Sequence, residues 1–272
     1  MNRAIYRLSL SRMFSNSPAI VNRGHLDAQN IVFSNCFCSM FLTYGSMRVI
    51  FTSFIKNLDT SVQIDSLENI NITYTIYSSF NYDNENIFHL CTFQSISSFQ
   101  KSSGILFQTN GILNITYCRF INLTASYSGA GGTALYATAG TSLNLYCNSF
   151  INCYSPHGAS VGIHNNGYPI ASLIFTFNSE IFVGYRGSQG HSSYIGARNK
   201  CECSDCNVSY INSNGSGSGL FYFLSIPKNS VSMSRCCLAH SVITYLIRLL
   251  NSSPTTISKT SFINNSASEW VN

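Results

Sequence analysis

The segment Leu113-Asn-Ile-Thr-Tyr-Cys-Arg-Phe120-Ile-Asn122 is answered one period later by Leu143-Asn-Leu-Tyr-Cys-Asn-Ser-Phe150-Ile-Asn152. Both alternate apolar and polar residues, carry a Phe near the end, and close on Asn. The pattern recurs as Val49-Ile-Phe-Thr-Ser-Phe54-Ile-Lys-Asn57 and as Ile257-Ser-Lys-Thr-Ser-Phe262-Ile-Asn-Asn265. Weaker copies are Leu90–Phe93, Ile174–Asn178 and Cys206–Asn212. The aromatic then runs Phe93, Phe120, Phe150, Phe177, Tyr210, a degraded copy near Leu238, and Phe262. A second landmark moves in step with it: a glycine or serine opens a short alternating run at Gly104, Gly132, Gly158, Gly190, Gly219 and Ser241. Two landmarks sharing a period of about 28 residues identify a repeat architecture.

Each repeat reads as two or three short strands with period-2 alternation, separated by Gly, Asn and Ser turns. Helical spacing is nearly absent, and Glu and Lys are too few to support helical pairs. A propeller blade needs about 40 residues, and a sandwich gives no reason for cysteine in register at every repeat. The expected architecture is a parallel β-solenoid, in which equivalent strands stack about 4.8 Å apart.

Such stacking predicts columns. Cys91, Cys118, Cys147, Thr176, Cys206, Cys236 and Thr260 form one, and the aromatics form another a few residues behind. Asn122, Asn152, Asn178, Asn212 and Asn264 are placed at corners, where Asn tolerates left-handed backbone and stacked amides can bond from coil to coil. The chain reads as one domain over residues 1–272, less regular before residue 90. Phe80 and Phe93 stand too close for one coil, which predicts an insertion around Tyr82–Asn86. Leu8-Ser-Leu-Ser-Arg-Met-Phe14-Ser-Asn16 already resembles the motif, and Ala19-Ile-Val matches the glycine-led run. The chain therefore begins and ends inside a coil, as a fragment or a section of a larger assembly would.

Only 9% of the residues are charged, whereas 29 Asn, 44 Ser and 17 Thr supply the polar surface. A charged helical protein is excluded, and the apolar fraction of 45% is ample for a core. The net charge of +5 is scattered without a basic run, so a nucleic-acid footprint is not expected. No apolar stretch approaches the length of a membrane-spanning helix. Arg3, Arg7, Arg12 and Arg23 give the start the composition of a transit peptide, but its resemblance to the repeat favours a first coil. Seven glycosylation sequons (Asn71, Asn114, Asn122, Asn207, Asn214, Asn251 and Asn264) are about what chance supplies in so Asn- and Ser-rich a chain.

These residues resemble the right-handed parallel β-helix repeat proteins and, more narrowly, the polymorphic outer-membrane-protein-like families of microbial and protist surfaces. Phe54-Ile-Lys-Asn57 and Phe262-Ile-Asn-Asn265 match the F-x-x-N motif of those families, and Gly131-Gly132-Thr-Ala-Leu135 is close to their G-G-A-[ILV]. Phe120 and Phe150 depart from it, with Asn two residues on. The resemblance implies an all-β, right-handed parallel β-helix (β-solenoid) of about 9–10 coils of roughly 28 residues. It also implies a non-enzymatic scaffold for surface display or adhesion, cell-surface or extracellular, with glycans or host proteins as partners. It carries no catalytic residues and no cofactor.

The same fold class hosts polysaccharide-active, pectin-lyase-like enzymes, which work with clustered carboxylates. Asp59 with Glu85, and Glu180 with Asp205, are the only spacings that would stack, and neither gathers three acids. No catalytic residue is therefore assigned. The densest polar constellation is Cys201-Glu-Cys203-Ser-Asp-Cys206, which with Asp205 or His191 would complete four zinc ligands. Cys206 belongs to the cysteine column, so Cys201, Cys203 and Cys206 are a candidate metal site on spacing only. Cys36-Phe-Cys38 and Cys236-Cys237 read as column members with a neighbour. Eleven cysteines is an odd count, against a closed disulfide framework, although stacked neighbours stand within disulfide reach. The six histidines show no metal or triad spacing; His157 and His164 flank Ser160 without an acid to orient them. Gly215–Gly219 and Gly129–Gly132 lack the helix or the lysine of a nucleotide loop.

Overall fold

The computed structural model of the chain describes residues 3–11, 20–22, 24–36, 40–43, 47–55, 62–65, 85–99, 102–108, 112–126, 132–137, 142–154, 159–163, 174–178, 181–183, 191–195, 200–212, 219–224, 230–250 and 255–271. Every regular element among them is a β-strand. The strands stack in parallel into three ten-stranded sheets, one strand of each per coil, which is the β-solenoid that the repeat predicts. Phe93 pairs with Phe120, 27 residues on, and Leu113 with Leu143, 30 residues on.

One coil explains the rest. Ile112–Thr116 lies in the first sheet and buries Leu113 and Ile115. Tyr117 then turns the chain with φ at 56°, Cys118 points inward, and Arg119–Ile121 enters the second sheet with Phe120 buried. Asn122, φ 53°, makes the second corner, and Gly132–Ala137 follows in the third sheet. Left-handed backbone recurs at the first corner in Arg7, Asn30, Phe51, Leu90, Tyr117, Cys147, Asp205, Arg235 and Lys259. At the second it recurs in Asn35, Ser95, Asn122, Asn152, Tyr210, His240 and Asn264. Such a turn costs a side-chain-bearing residue about 1–2 kcal/mol. The following coil offsets this by accepting the corner N–H: Tyr117 N–H donates to the Tyr146 carbonyl (3.0 Å) and Asn122 N–H to that of Ile151 (2.9 Å).

The inward residue after each turn has a different need. Its N–H faces the core, where only a side chain of the next coil can accept it. Cys91 N–H donates to Cys118 Sγ (3.4 Å), Cys118 N–H to Asn148 Oδ1 (2.8 Å), and Ser241 N–H to Asn265 Oδ1 (3.0 Å). The same side chains donate back to carbonyls: Asn148 Nδ2 to Ile115 (2.8 Å), Asn265 Nδ2 to Leu238 (2.7 Å), Cys118 Sγ to Thr116 (3.4 Å). Cysteine suits the column because its thiol both accepts and donates at small volume.

The expected columns therefore hold with four corrections. The first-corner column runs Thr52, Cys91, Cys118, Asn148, Cys206, Cys236 and Thr260; Cys147 is the left-handed turn residue and Asn148 takes its place. Thr176 lies mid-strand, paired with Asn144 and Glu202. The aromatic column runs from Leu10 through Phe33, Phe54, Phe93, Phe120, Phe150 and Phe182 to Val208, Leu238 and Phe262. Phe177 belongs to the first sheet opposite Leu145, and Tyr210 to the second corner. Apolar residues alternate inward on both sheets only five residues apart, so spacing cannot tell Phe177 from Phe182. Asn122, Asn152 and Asn264 are corner residues as expected, whereas Asn178 pairs in the strand Ile174–Asn178 and Asn212 bridges Val242. The fourth correction concerns Ser241, which is an inward second-corner residue; Tyr245 is the partner of Gly219.

Five phenyl rings stack face to face along the axis: Phe33–Phe54 at 5.3 Å, Phe54–Phe93 at 4.7 Å, Phe93–Phe120 at 4.7 Å and Phe120–Phe150 at 5.0 Å. Each such pair adds about 0.5–1.5 kcal/mol beyond its buried area. Gly104 opens its run for a steric reason, because a Cβ there would run into the Ala134 carbonyl oxygen. At the start, Arg3–Tyr6 pairs with Leu26–Gln29 and Ser9–Ser11 with Val32–Ser34, so the Arg-rich segment forms a coil. Leu10, not Phe14, stands beneath Phe33. Phe14, Asn57, Phe80 and Tyr82–Asn84 lie outside the described residues, while Asn86 pairs with Met47 inside the strand Glu85–His89. Phe54 and Phe93, 39 residues apart, are neighbours, so this coil is the long one.

Candidate functional site

The strand Lys200–Ser204 ends at the first corner, Asp205 makes the left-handed turn, and Cys206 points inward. Cys203 stands at the position held by Leu145 two coils earlier, and is buried like it. The next coil brings Cys236 into the same column as Cys206. Three thiols therefore meet: Cys203 Sγ lies 3.4 Å from Cys206 Sγ and 3.8 Å from Cys236 Sγ, and all three fall within 4.8 Å of one another. Their residues are 1%, 1% and 2% exposed, so the cluster is dry. All nine described cysteines are reduced thiols.

Hydrogen bonds among the thiols separate their acidities. Cys203 donates to its neighbours, and that bonding, to Cys206 first, with burial added, pushes its pKa well up. Cys236 receives the bonds of Cys203 and Cys206 and is lowered. The lone column thiols behave otherwise: burial alone lifts Cys153 to about 12, and burial is the main cause of the rise at Cys118.

Of the residues that spacing proposed, Cys203 and Cys206 are brought together. Cys201 pairs in the backbone with Phe175 and Val231, and its side chain lies outside the described residues, as does that of His191. Cys236 is the member that sequence reading missed. The signal was present: Cys236 follows Cys206 by one coil, and Cys203 precedes it across one corner. Asp205 is engaged by Arg235, one coil on, at 2.6 and 2.7 Å, which holds its carboxyl below the usual range. Asp59, Glu180, Cys38, His157 and His164 lie outside the described residues, and so does the side chain of Glu85.

The corners form the outer surface of interest. Because a left-handed residue cannot aim its side chain at the core here, Phe51, Leu90 and Tyr117 stand out into solvent, Phe51 56% exposed. Tyr146 joins them, with its ring 5.5 Å from Tyr117, and His89 packs edge-on to Tyr117 from the other side (5.7 Å). Near the second corner Tyr154, Tyr210, Asn152, His240 and Val242 line an open groove of about 630 Å³, with Tyr210 and His240 stacked at 5.3 Å. Amides ladder between coils, Asn144 to Asn114 at 2.8 Å and Asn152 to Asn122 at 3.2 Å.

Among the described residues no helix is long and apolar enough to cross a membrane. No family model, curated protein or solved structure matches the chain, so its assignment rests on the coil geometry above.

Proposed function

We propose that the protein is a non-enzymatic β-solenoid scaffold that displays its corners for adhesion to glycans or partner proteins at a cell surface, as in the polymorphic outer-membrane-protein-like families. The observation that carries this reading is the row of exposed aromatic and apolar side chains at the first corner, Phe51, Leu90, Tyr117 and Tyr146. Solvated apolar rows of this kind mark contact surfaces, and tyrosine supplies contact area at little entropic cost. The Tyr210–His240 groove, flanked by Asn152, adds amide donors beside a flat ring face, the combination that sugar rings take.

The test is a glycan array and a cell-binding assay with the purified chain. The triple variant Phe51→Ser, Tyr117→Ser, Tyr146→Ser is expected to lose at least tenfold in apparent affinity while its far-ultraviolet spectrum stays β-rich. Unchanged binding would remove the first corner from the contact surface. Cleavage of a bound polysaccharide would replace the scaffold reading with the pectin-lyase-like one.

A further inference from the structure

We propose that Cys203, Cys206 and Cys236 form a binding site for a single thiophilic cation of the Cu(I) class, built into the core of the solenoid. Sulfurs that share an ion at about 2.3 Å stand about 3.8–4 Å apart, and the two measured edges of 3.4 and 3.8 Å already approach that triangle. No other column in the described residues brings three metal-ligating groups together.

The set of donors chooses the ion. All three are sulfur, and the residue paired with Cys203 in the next coil is Met233, a buried thioether; soft donors select Cu(I) and Zn(II) over hard cations. Zn(II) takes four ligands, and a three-thiolate zinc site completes its shell with water, which this dry position excludes. A d10 monovalent ion is satisfied by three sulfurs in a plane. Binding forms the metal–sulfur bonds and releases the thiol protons to solvent, with no change of oxidation state, provided that copper arrives already reduced. The corner supports the geometry. The bidentate Asp205–Arg235 pair ties the turn residues that precede Cys206 and Cys236, so the two coils that supply the ligands are pinned on the outside as well.

The experiment uses the full chain, fully reduced. Cu(I) is titrated in competition with bathocuproine disulfonate, and Zn(II) in parallel with a chromophoric zinc indicator. One equivalent of Cu(I) is expected to be withdrawn from the chelator, with the emission of a water-shielded copper–thiolate centre. Cys203→Ser and Cys236→Ser are expected to weaken that equivalent at least tenfold, and Cys118→Ser, a buried column thiol outside the cluster, to leave it unchanged. Cys203→Leu restores the residue of the earlier coil at this position and serves if a serine variant fails to fold. The proposal is overturned if Cys203→Leu retains the full equivalent, or if Zn(II) binds and Cu(I) does not. It is equally overturned if thiol counting on the untreated protein finds Cys203 and Cys206 joined as a disulfide.

Discussion

The lower coils, from Phe33 to Phe150, and the upper coils, from Cys203 to Leu238, solve the same filling problem in opposite ways. Below, the second sheet contributes a continuous phenyl stack, and each column thiol bonds to backbone on either side. Above, the stack thins to Val208 and Leu238, and the thiols bond to one another. The difference turns on one position. Three residues before the column stand Phe88, Ile115 and Leu145 below, but Cys203 above. Replacing one large apolar side chain with cysteine turns a row of separate hydrogen-bonding thiols into a cluster with divided acidities. The lesson is that column chemistry depends on the facing sheet as much as on the column.

The largest expected effect breaks the lower half. Phe120→Ala removes the fourth ring of five and opens a cavity between Phe93 and Phe150, for which about 3–5 kcal/mol is expected. Leu238→Ala above, with no ring neighbours to lose, should fall toward the lower end of about 2–5 kcal/mol. Urea midpoints of the two variants at equal m-value decide the matter, and equal losses would mean that the stack adds nothing beyond area.

Next comes the corner column. Asn148→Ala orphans the Cys118 N–H and the second acceptor site at Ile115, at about 1–3 kcal/mol. Asn148→Cys, which supplies a thiol like that of Cys118, should recover part of it. Amide exchange at Cys118 is the sensitive readout, and it should rise in the first variant more than in the second.

The smallest effect concerns the outer pair of the upper half. Asp205 has its folded pKa lowered by Arg235, so its contribution is present above the ordinary carboxylate range and is lost as pH falls through the lowered value. Both side chains are exposed, so Arg235→Gln should shift the melting temperature only marginally at neutral pH, and not at all in high salt. A larger shift that survives salt would mean that the pair anchors the corner mechanically.

Much of this was legible in the sequence because stacking writes each contact twice. Phe120 and Phe150 announced a shared level by their identical surroundings, and the glycine-led runs marked the third sheet. The seventh coil was misread because Phe177 and Phe182 both satisfy an inward alternation, and only pairing across sheets separates them. Asn148 was passed over for its neighbour Cys147, since residue type suggested cysteine while the backbone required whichever residue follows the turn. Cys236 escaped the candidate site because its partner lies a full coil away, where local ligand spacing has no reach. The scarcity of charge also has a cause. Like residues repeat above one another, so amides such as Asn114 and Asn144 bond to their copies, and Asp205 is tolerated beside Arg235.

The corner bonds all run one way. The inward N–H of each coil is received by a side chain from the coil that follows it in sequence, never by the coil before: Cys91 by Cys118, Cys118 by Asn148, Ile211 by Ser241, Ser241 by Asn265. The rod thus has a grammar of completion, in which every layer is finished by its successor. A chain emerging from the ribosome meets that requirement in order, with a single open corner at the growing end, whereas assembly from the other end would leave each new layer waiting on nothing and finishing only the one behind it.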